Sequence, residues 1–382
     1  MVTATRPSYV PALRMKAGEL VGLSDLAPDV AGRVLPRMIV PPLEERDESL
    51  QAQLLKTEDS PNIADALAAH WRGRQVLVEA TYLIPDLGHA TIGRWLPRMF
   101  ERAQSAGVPA VPLVALSDLT TDCREAYRAA CGTGSIRLAL AVPAGDLVGR
   151  GLLDLLLQHL EAMGLSPSEC SIIADFGGLD FANPDVVAPI IGGALELLQE
   201  VGIWGQVVFQ GTNYPDRNPA EPGSAYRVPR NEWLAWRKAI RFDPATAEHM
   251  LFGDYAADCA TMAFGKNGVR AIRHYRYATP DVWIVERGTD GCTDATAMRD
   301  VSRRIVGSGS FAGRSFSAAD EFIFLTAHGE AGPGTPTKWR AVNTTHHITR
   351  VVADIGGVRG FTLRQRAANG PLPSQGSLFA AP

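Results

Sequence analysis

Eight short apolar runs, set apart by stretches of helical periodicity, recur through the first 256 residues of this chain. They are YVPALRMK (9–16), RVLPRMIVPP (33–42), QVLVEATYL (75–83), VPAVPLVAL (108–116), IRLALAV (136–142), CSIIADF (170–176), GQVVFQG (205–211) and MLFGDYA (250–256). Nearly continuous apolar strands belong in a parallel sheet covered on both faces. The stretches between them read as helices near 24–31, 62–71, 91–107, 122–130, 147–164, 184–202 and 230–240, with Gly107 and Gly164 as stops. Strand and helix alternating in this number and order predict an α/β fold, a TIM-like (β/α)8 barrel. A dinucleotide-binding sheet would need a glycine-rich turn after its first strand, and ALRMKAGEL supplies none.

The remainder reads differently. VWIVERG (282–288) is a further strand, DATAMRDVSRRIVG (294–307) a helix, GSGSFAGRSFS (307–317) a loop, and two more helices fall near 319–329 and 336–352. These additional C-terminal helices either cap the barrel mouth or complete the barrel, so residues 1–355 are expected to form one barrel domain. From about Gly356 the apolar periodicity fades, and residues 356–382 are expected to be a flexible tail, rich in Pro, Gly and Ala at its end.

Composition narrows the function. The chain has 382 residues, 46% of them hydrophobic, and a net charge of −4 with no basic tract, which argues against non-specific wrapping of nucleic acid. Cys123, Cys131, Cys170, Cys259 and Cys292 show no CxxC spacing and are odd in number, so they form neither a zinc framework nor a disulfide scaffold. The opening residues MVTATRPSYVP lack an apolar signal core, and no run approaches the length of a membrane span. The expectation is a soluble cytoplasmic protein of bacterial or phage origin, with no membrane partner.

In such a barrel the functional groups stand at the C-terminal ends of the strands and in the loops that follow. That rule selects Arg14, Lys16, Glu44, Glu79, Asp175, Gln210, Asp254 and Tyr255. Strands four and five end in apolar residues, so half of the mouth looks bare. Asp175, at the tip of IIADFGG, is a general base or metal ligand, or else the cap of the next turn. Gln210, Thr212 and Asn213 suit the polar edges of a ligand and are equally ordinary turn residues. RNEW adds Arg230 and Glu232. RHYRYATPDVWIVERG packs His274, Tyr275, Arg276, Tyr277 and Arg287 together, a mixture that recognises phosphates, carboxylates or stacked bases, or simply edges a solvated strand. His346 and His347 are adjacent, so both cannot readily serve one metal, although one of them, His347, could act as an acid or base. No Walker, zincin, EF-hand or nucleophile-elbow pattern is present, and the residues name no cofactor.

The blocks YVPALRMKAGELVGLSDL, VLPRMIVPP, DFGGLD, VVFQGTNYP, RNEW, FGDYA, YRYAT…VWIVERG and WRAVNTTHHI, in this order from Tyr9 to about Val352, resemble the beta family proteins. That group takes its name from a bacteriophage protein and occurs in phages and in bacterial mobile or defence-type gene clusters. The resemblance implies a shared site drawn from Lys16, Glu19, Asp175, Gln210, Arg230, Glu232, Asp254, Tyr255, Arg276, Arg287 and His347. It implies no reaction.

The last residues, LPSQGSLFAAP, lie beyond those blocks. QGSLF (375–379) resembles the peptide by which bacterial replication and repair proteins dock on the DNA polymerase sliding clamp. Leu378 and Phe379 would fill an apolar pocket, Gln375 a polar subsite, and Ser377 would permit the bend between them. Gly376 stands where leucine is common. Ordering a mobile segment keeps such affinities micromolar, about −8 kcal/mol. The alternative is that Leu378 and Phe379 cover an apolar patch of the barrel. The first expectation is a phage- or defence-associated adaptor or effector recruited to the clamp, with a ligand site of unassigned activity at the barrel mouth. The alternative, compatible with it, is an enzyme acting on a phosphorylated small molecule, a nucleotide or a nucleic-acid end. Residues converging in one cleft would favour the second.

Overall fold

The computed structural model describes residues 6–43, 45, 61–149, 151–242, 250–261, 264, 271–364 and 366. Their contacts divide the chain into two units. The first takes in the described residues of 1–16, 34–216 and 230–267, and the second those of 17–33, 217–229 and 268–382.

The first unit is the expected barrel. Strands β1 (Tyr9–Arg14), β2 (Arg37–Ile39), β3 (Val76–Glu79), β4 (Ala110–Ala115), β5 (Leu138–Pro143), β6 (Cys170–Asp175), β7 (Gln206–Gln210) and β9 (Met250–Asp254) close in that order. Every pairing is parallel, and β1 shuts the ring on β9 with Tyr9 opposite Phe252 and Pro11 opposite Asp254. The strands are shorter than the apolar runs that contain them. The second run, 33–42, contributes only Arg37–Ile39, bounded by Pro36 on one side and Pro41 and Pro42 on the other, which cannot donate to a ladder.

Side chains alternate across a strand, so the residues of one parity fill the barrel and the others meet the helices. Val10, Leu35, Leu77, Val111, Leu113, Ala139, Ala141, Ile173, Val208 and Leu251 make the dry interior. The opposite parity of β7 and β9 is aromatic. Phe252 stacks on Tyr9 and Phe209 at ring separations of 6.0 and 5.8 Å, and meets Trp233 and Trp236 of the helix Asn231–Phe242 edge-on at 5.1 and 5.3 Å.

The second unit holds strand β8 (Ala225–Pro229), which the sequence reading missed, with β10 (His274–Ala278) and β11 (Val282–Arg287). They form an antiparallel sheet in the order β10-β11-β8. β8 escaped notice because AYRVP is mostly exposed and carries no apolar run. Tyr275, Tyr277 and Ile284 of this sheet pack on the helices Asp294–Gly307, Ala318–His328 and Pro336–Arg359 through Met298, Val301, Ile305, Ile323, Trp339 and Val342. The helix Ala17–Ser24 belongs here too. A Cβ at Gly18 would fall 2.7 Å from Arg340 Cβ, and one at Gly22 2.7 Å from Thr344 Cβ, so only glycine admits this close helix packing. The last helix runs to Arg359 rather than ending near 352, and Gly360 closes it at φ 77°. Phe361 then lies under the Arg33 guanidinium at 3.4 Å. The QGSLF peptide, with Gln375, Ser377, Leu378 and Phe379, lies outside the described residues.

Phe252→Ala removes the ring on which four aromatic neighbours converge. We expect it to lower stability by about 3–5 kcal/mol, measured by denaturant unfolding followed through tryptophan fluorescence.

Candidate functional site

β2 carries Arg37 in the middle of an apolar run, with interior parity, and its side chain is only 8% exposed. A buried guanidinium needs partners, and the adjacent strand β3 and strand β6 across the barrel provide them. Arg37 Nε donates to Glu79 Oε2 of β3 at 2.9 Å, and Nη1 donates to Asp175 Oδ2 of β6 at 2.9 Å. Burial opposes the charge on Arg37, but the two carboxylates outweigh it and raise its pKa well above the usual arginine value. Nη2 forms no hydrogen bond among the described residues and keeps access to solvent. Glu79 Oε1 is likewise unbonded and open.

Both oxygens of Asp175 are engaged. Tyr255 OH donates to both of its oxygens, at 2.8 and 3.0 Å, and Gly177 N donates to Oδ1 at 3.0 Å. The turn-capping role weighed for Asp175 is therefore present, joined by two side chains from other strands. Gly177 is required by this crowding, since a Cβ there would sit 2.7 Å from Tyr255 OH. Burial, followed by the Asp175 charge, raises the Tyr255 pKa well above the phenolic value, so the hydroxyl stays a donor.

The loop after β9 is strained. Ala256 and Ala257 have φ of 51° and 59°, a left-handed conformation that costs a non-glycine residue about 1–2 kcal/mol. Asp254 holds this loop: its Oδ1 accepts from Ala256 N at 2.9 Å and from Tyr9 OH. Its side chain has the outward parity of Phe252, not the interior parity of Leu251, and so it stands apart from Arg37. Gln210 supports the same strand end by donating to the Asp254 carbonyl. On β1 and just past it, Arg14 pairs with Asp258 and Lys16 with Glu45, both largely buried. An apolar rim of Ala12, Ile39 and Tyr255, with Tyr82, Ala260 and Phe264 packed on it, completes this end of the barrel.

The sequence reading thus brought together Arg14, Lys16, Glu79, Asp175, Gln210 and Tyr255 at the strand ends. Arg230 and Glu232 form a second buried group with Asp254 and Tyr9, coupled through their charges. Glu232 Oε2 accepts from Asn213 N at 3.2 Å. Arg276, Tyr277, Arg287 and His347 belong to the second unit. There Arg276 Nε donates to His274 Nε2, Tyr277 OH to Asp320 Oδ1, Arg287 Nη1 to Ala220 O, and Trp283 Nε1 to His347 Nδ1. Glu19 also lies there, paired with Arg340. Arg37, Tyr82, Asp258 and Glu45 were missed. The signal for Arg37 was available: a lone arginine inside an otherwise apolar strand must have buried partners.

A family model described as Beta protein matches residues 9–353. The chain belongs to the Beta protein family. No curated protein matches it. Every residue of the mouth named above falls within the Beta protein match, and QGSLF falls beyond it. Among the described residues no helix is long and apolar enough to cross a membrane, and no group of three or more His, Cys, Asp and Glu could hold a metal ion.

Glu232 yields a pH prediction. Burial, opposed by Arg230 and reinforced by Asp254, raises its pKa from 4.5 to about 8. Between those values the folded chain holds a proton that the unfolded chain has released. Stability from this group is therefore full below pH 4.5 and is lost progressively as pH rises to about 8. Glu232→Gln mimics the protonated side chain. In denaturant titrations it should match the parent at acid pH and exceed it, by a margin growing to roughly 2 kcal/mol or more, near pH 8.

Proposed function

We propose that the barrel is a ligand-binding, catalytic unit that takes a nucleotide or another small phosphorylated molecule at the C-terminal end of its strands. The observation that carries this reading is Arg37. Its Nε and Nη1 are fixed by Glu79 and Asp175, while Nη2 remains open. An arginine held at Nε and Nη1 presents Nη2 at a fixed position and is pre-organised to meet a ligand there, since little conformational entropy is left to lose. Arg14, at the end of β1, and Lys16, just past it, are cations for which a phosphate can compete. Asp175, with both oxygens engaged, positions Arg37 and Tyr255 rather than abstracting a proton. The strained alanines support the same reading, because strain of this kind gathers at functional sites.

The test is calorimetric titration with nucleoside 5′-monophosphates and ribose 5-phosphate. At least one should bind, and Arg37→Lys should weaken it tenfold or more while circular dichroism shows the chain still folded. Lysine keeps the charge beside Glu79 and Asp175 but lacks the planar fork that meets both and still holds Nη2 in place. If no probe binds the unmodified chain at millimolar concentration, the reading fails.

QGSLF favours a second, compatible reading, in which the protein works in the cytoplasm and is recruited to the replication sliding clamp. A phage-related or antiviral-defence role would gain from delivery to replicating DNA. Titration against bacterial clamp should show saturable micromolar binding that disappears when residues 371–382 are removed. Equal binding by both forms, or none by either, removes clamp docking.

A further inference from the structure

Resting on the ligand-binding reading of the mouth, we infer that the group seated against Arg37 is a nucleobase, read by its edge and stacked at the rim. The Arg37–Glu79 contact joins Nε to Oε2 and leaves one atom of each side chain without a hydrogen bond among the described residues: Nη2, which can only donate, and Oε1, which can only accept. A bare phosphate suits the first and is repelled by the second. A flat ring with an N–H beside a carbonyl or ring nitrogen satisfies both at once, and each nucleobase presents such an edge. Carboxylate and guanidinium side chains are among the groups that read those edges in nucleic acids.

The rim agrees with a flat ligand. Tyr82 follows β3 directly, is half-buried, and packs with Phe264 on Ala12, Ile39 and Tyr255. The Tyr82 and Phe264 rings meet edge-on at 4.8 Å, so their faces are not stacked on each other. Burial and the nearby Glu79 charge, opposed by Arg37, raise the Tyr82 pKa, so its hydroxyl stays protonated. Base–aromatic stacking tolerates any base and supplies much of the affinity in single-strand readers. With the base inward, the phosphate of a nucleotide faces Arg14 and Lys16.

Fluorescence and calorimetric titrations of the full chain with the four nucleoside 5′-monophosphates, against ribose 5-phosphate, test the inference. At least one nucleotide should bind tenfold or more tightly than ribose 5-phosphate. Tyr82→Ala should weaken that nucleotide at least fivefold and leave ribose 5-phosphate unchanged, with Tyr82→Phe restoring the affinity. Glu79→Gln should change the order of preference among the bases, because an amide both donates and accepts. If ribose 5-phosphate binds as tightly as every nucleotide, or Tyr82→Ala weakens both alike, base recognition is overturned while the ligand site at Arg37 stands. If nothing binds, both fall.

Discussion

A guanidinium inside the barrel is the constraint from which the rest of the mouth follows. Arg37 could not remain there without anions, so β3 must end in Glu79 and β6 in Asp175, one on each side of it. Asp175 in turn needs donors for its remaining lone pairs, and these come from Tyr255 and the Gly177 amide. Tyr255 can approach so closely only if residue 177 lacks a side chain. Four strand ends are thereby fixed against one another by one charge. Such a network contributes little net stability, since well-packed apolar residues of similar volume commonly do as well or better. Its presence is better understood as the cost of holding Nη2 of Arg37 and one oxygen of Glu79 in fixed positions, open to a ligand.

The outer face of the same strands solves a different problem. Tyr255 projects into the mouth only because the chain after β9 turns through two left-handed alanines. Asp254 secures that turn, and is secured by Tyr9 from β1 where the barrel closes. The strain is local, whereas the bonds that offset it are anchored in the aromatic layer around Phe252. Deformation of that layer would reach the mouth through Asp254.

The barrel was legible because it is written in hydrophobicity: each interior run is apolar and each run is followed by a helix. The antiparallel sheet of the second unit was half legible. β11, with VWIVE, declares itself, and β8, with AYRVP, does not, since one face and half of the other meet solvent. For the mouth, choosing residues at strand ends found Glu79, Asp175 and Tyr255. It passed over Arg37 because that residue lies one pleat inside the end. It also grouped Asp254 with the others, although counting by twos from Leu251 puts Asp254 on the opposite face. Parity was therefore the missing step. The partners of Arg14 and Lys16, by contrast, come from loop residues Asp258 and Glu45, and no periodicity in the sequence announces which loop carboxylate will fold back on which cation.

How the acids are occupied matters more to function than their number. Asp175 looks from sequence like the reactive group, a carboxylate at a strand tip beside two glycines. In the fold its oxygens receive hydrogen bonds from Arg37, Tyr255 and Gly177, the contacts that hold the site together. Glu79 spends one oxygen and keeps the other. That asymmetry makes Glu79 and Arg37, rather than Asp175, the pair that meets a ligand, and it makes Asp175 the residue that decides where they stand.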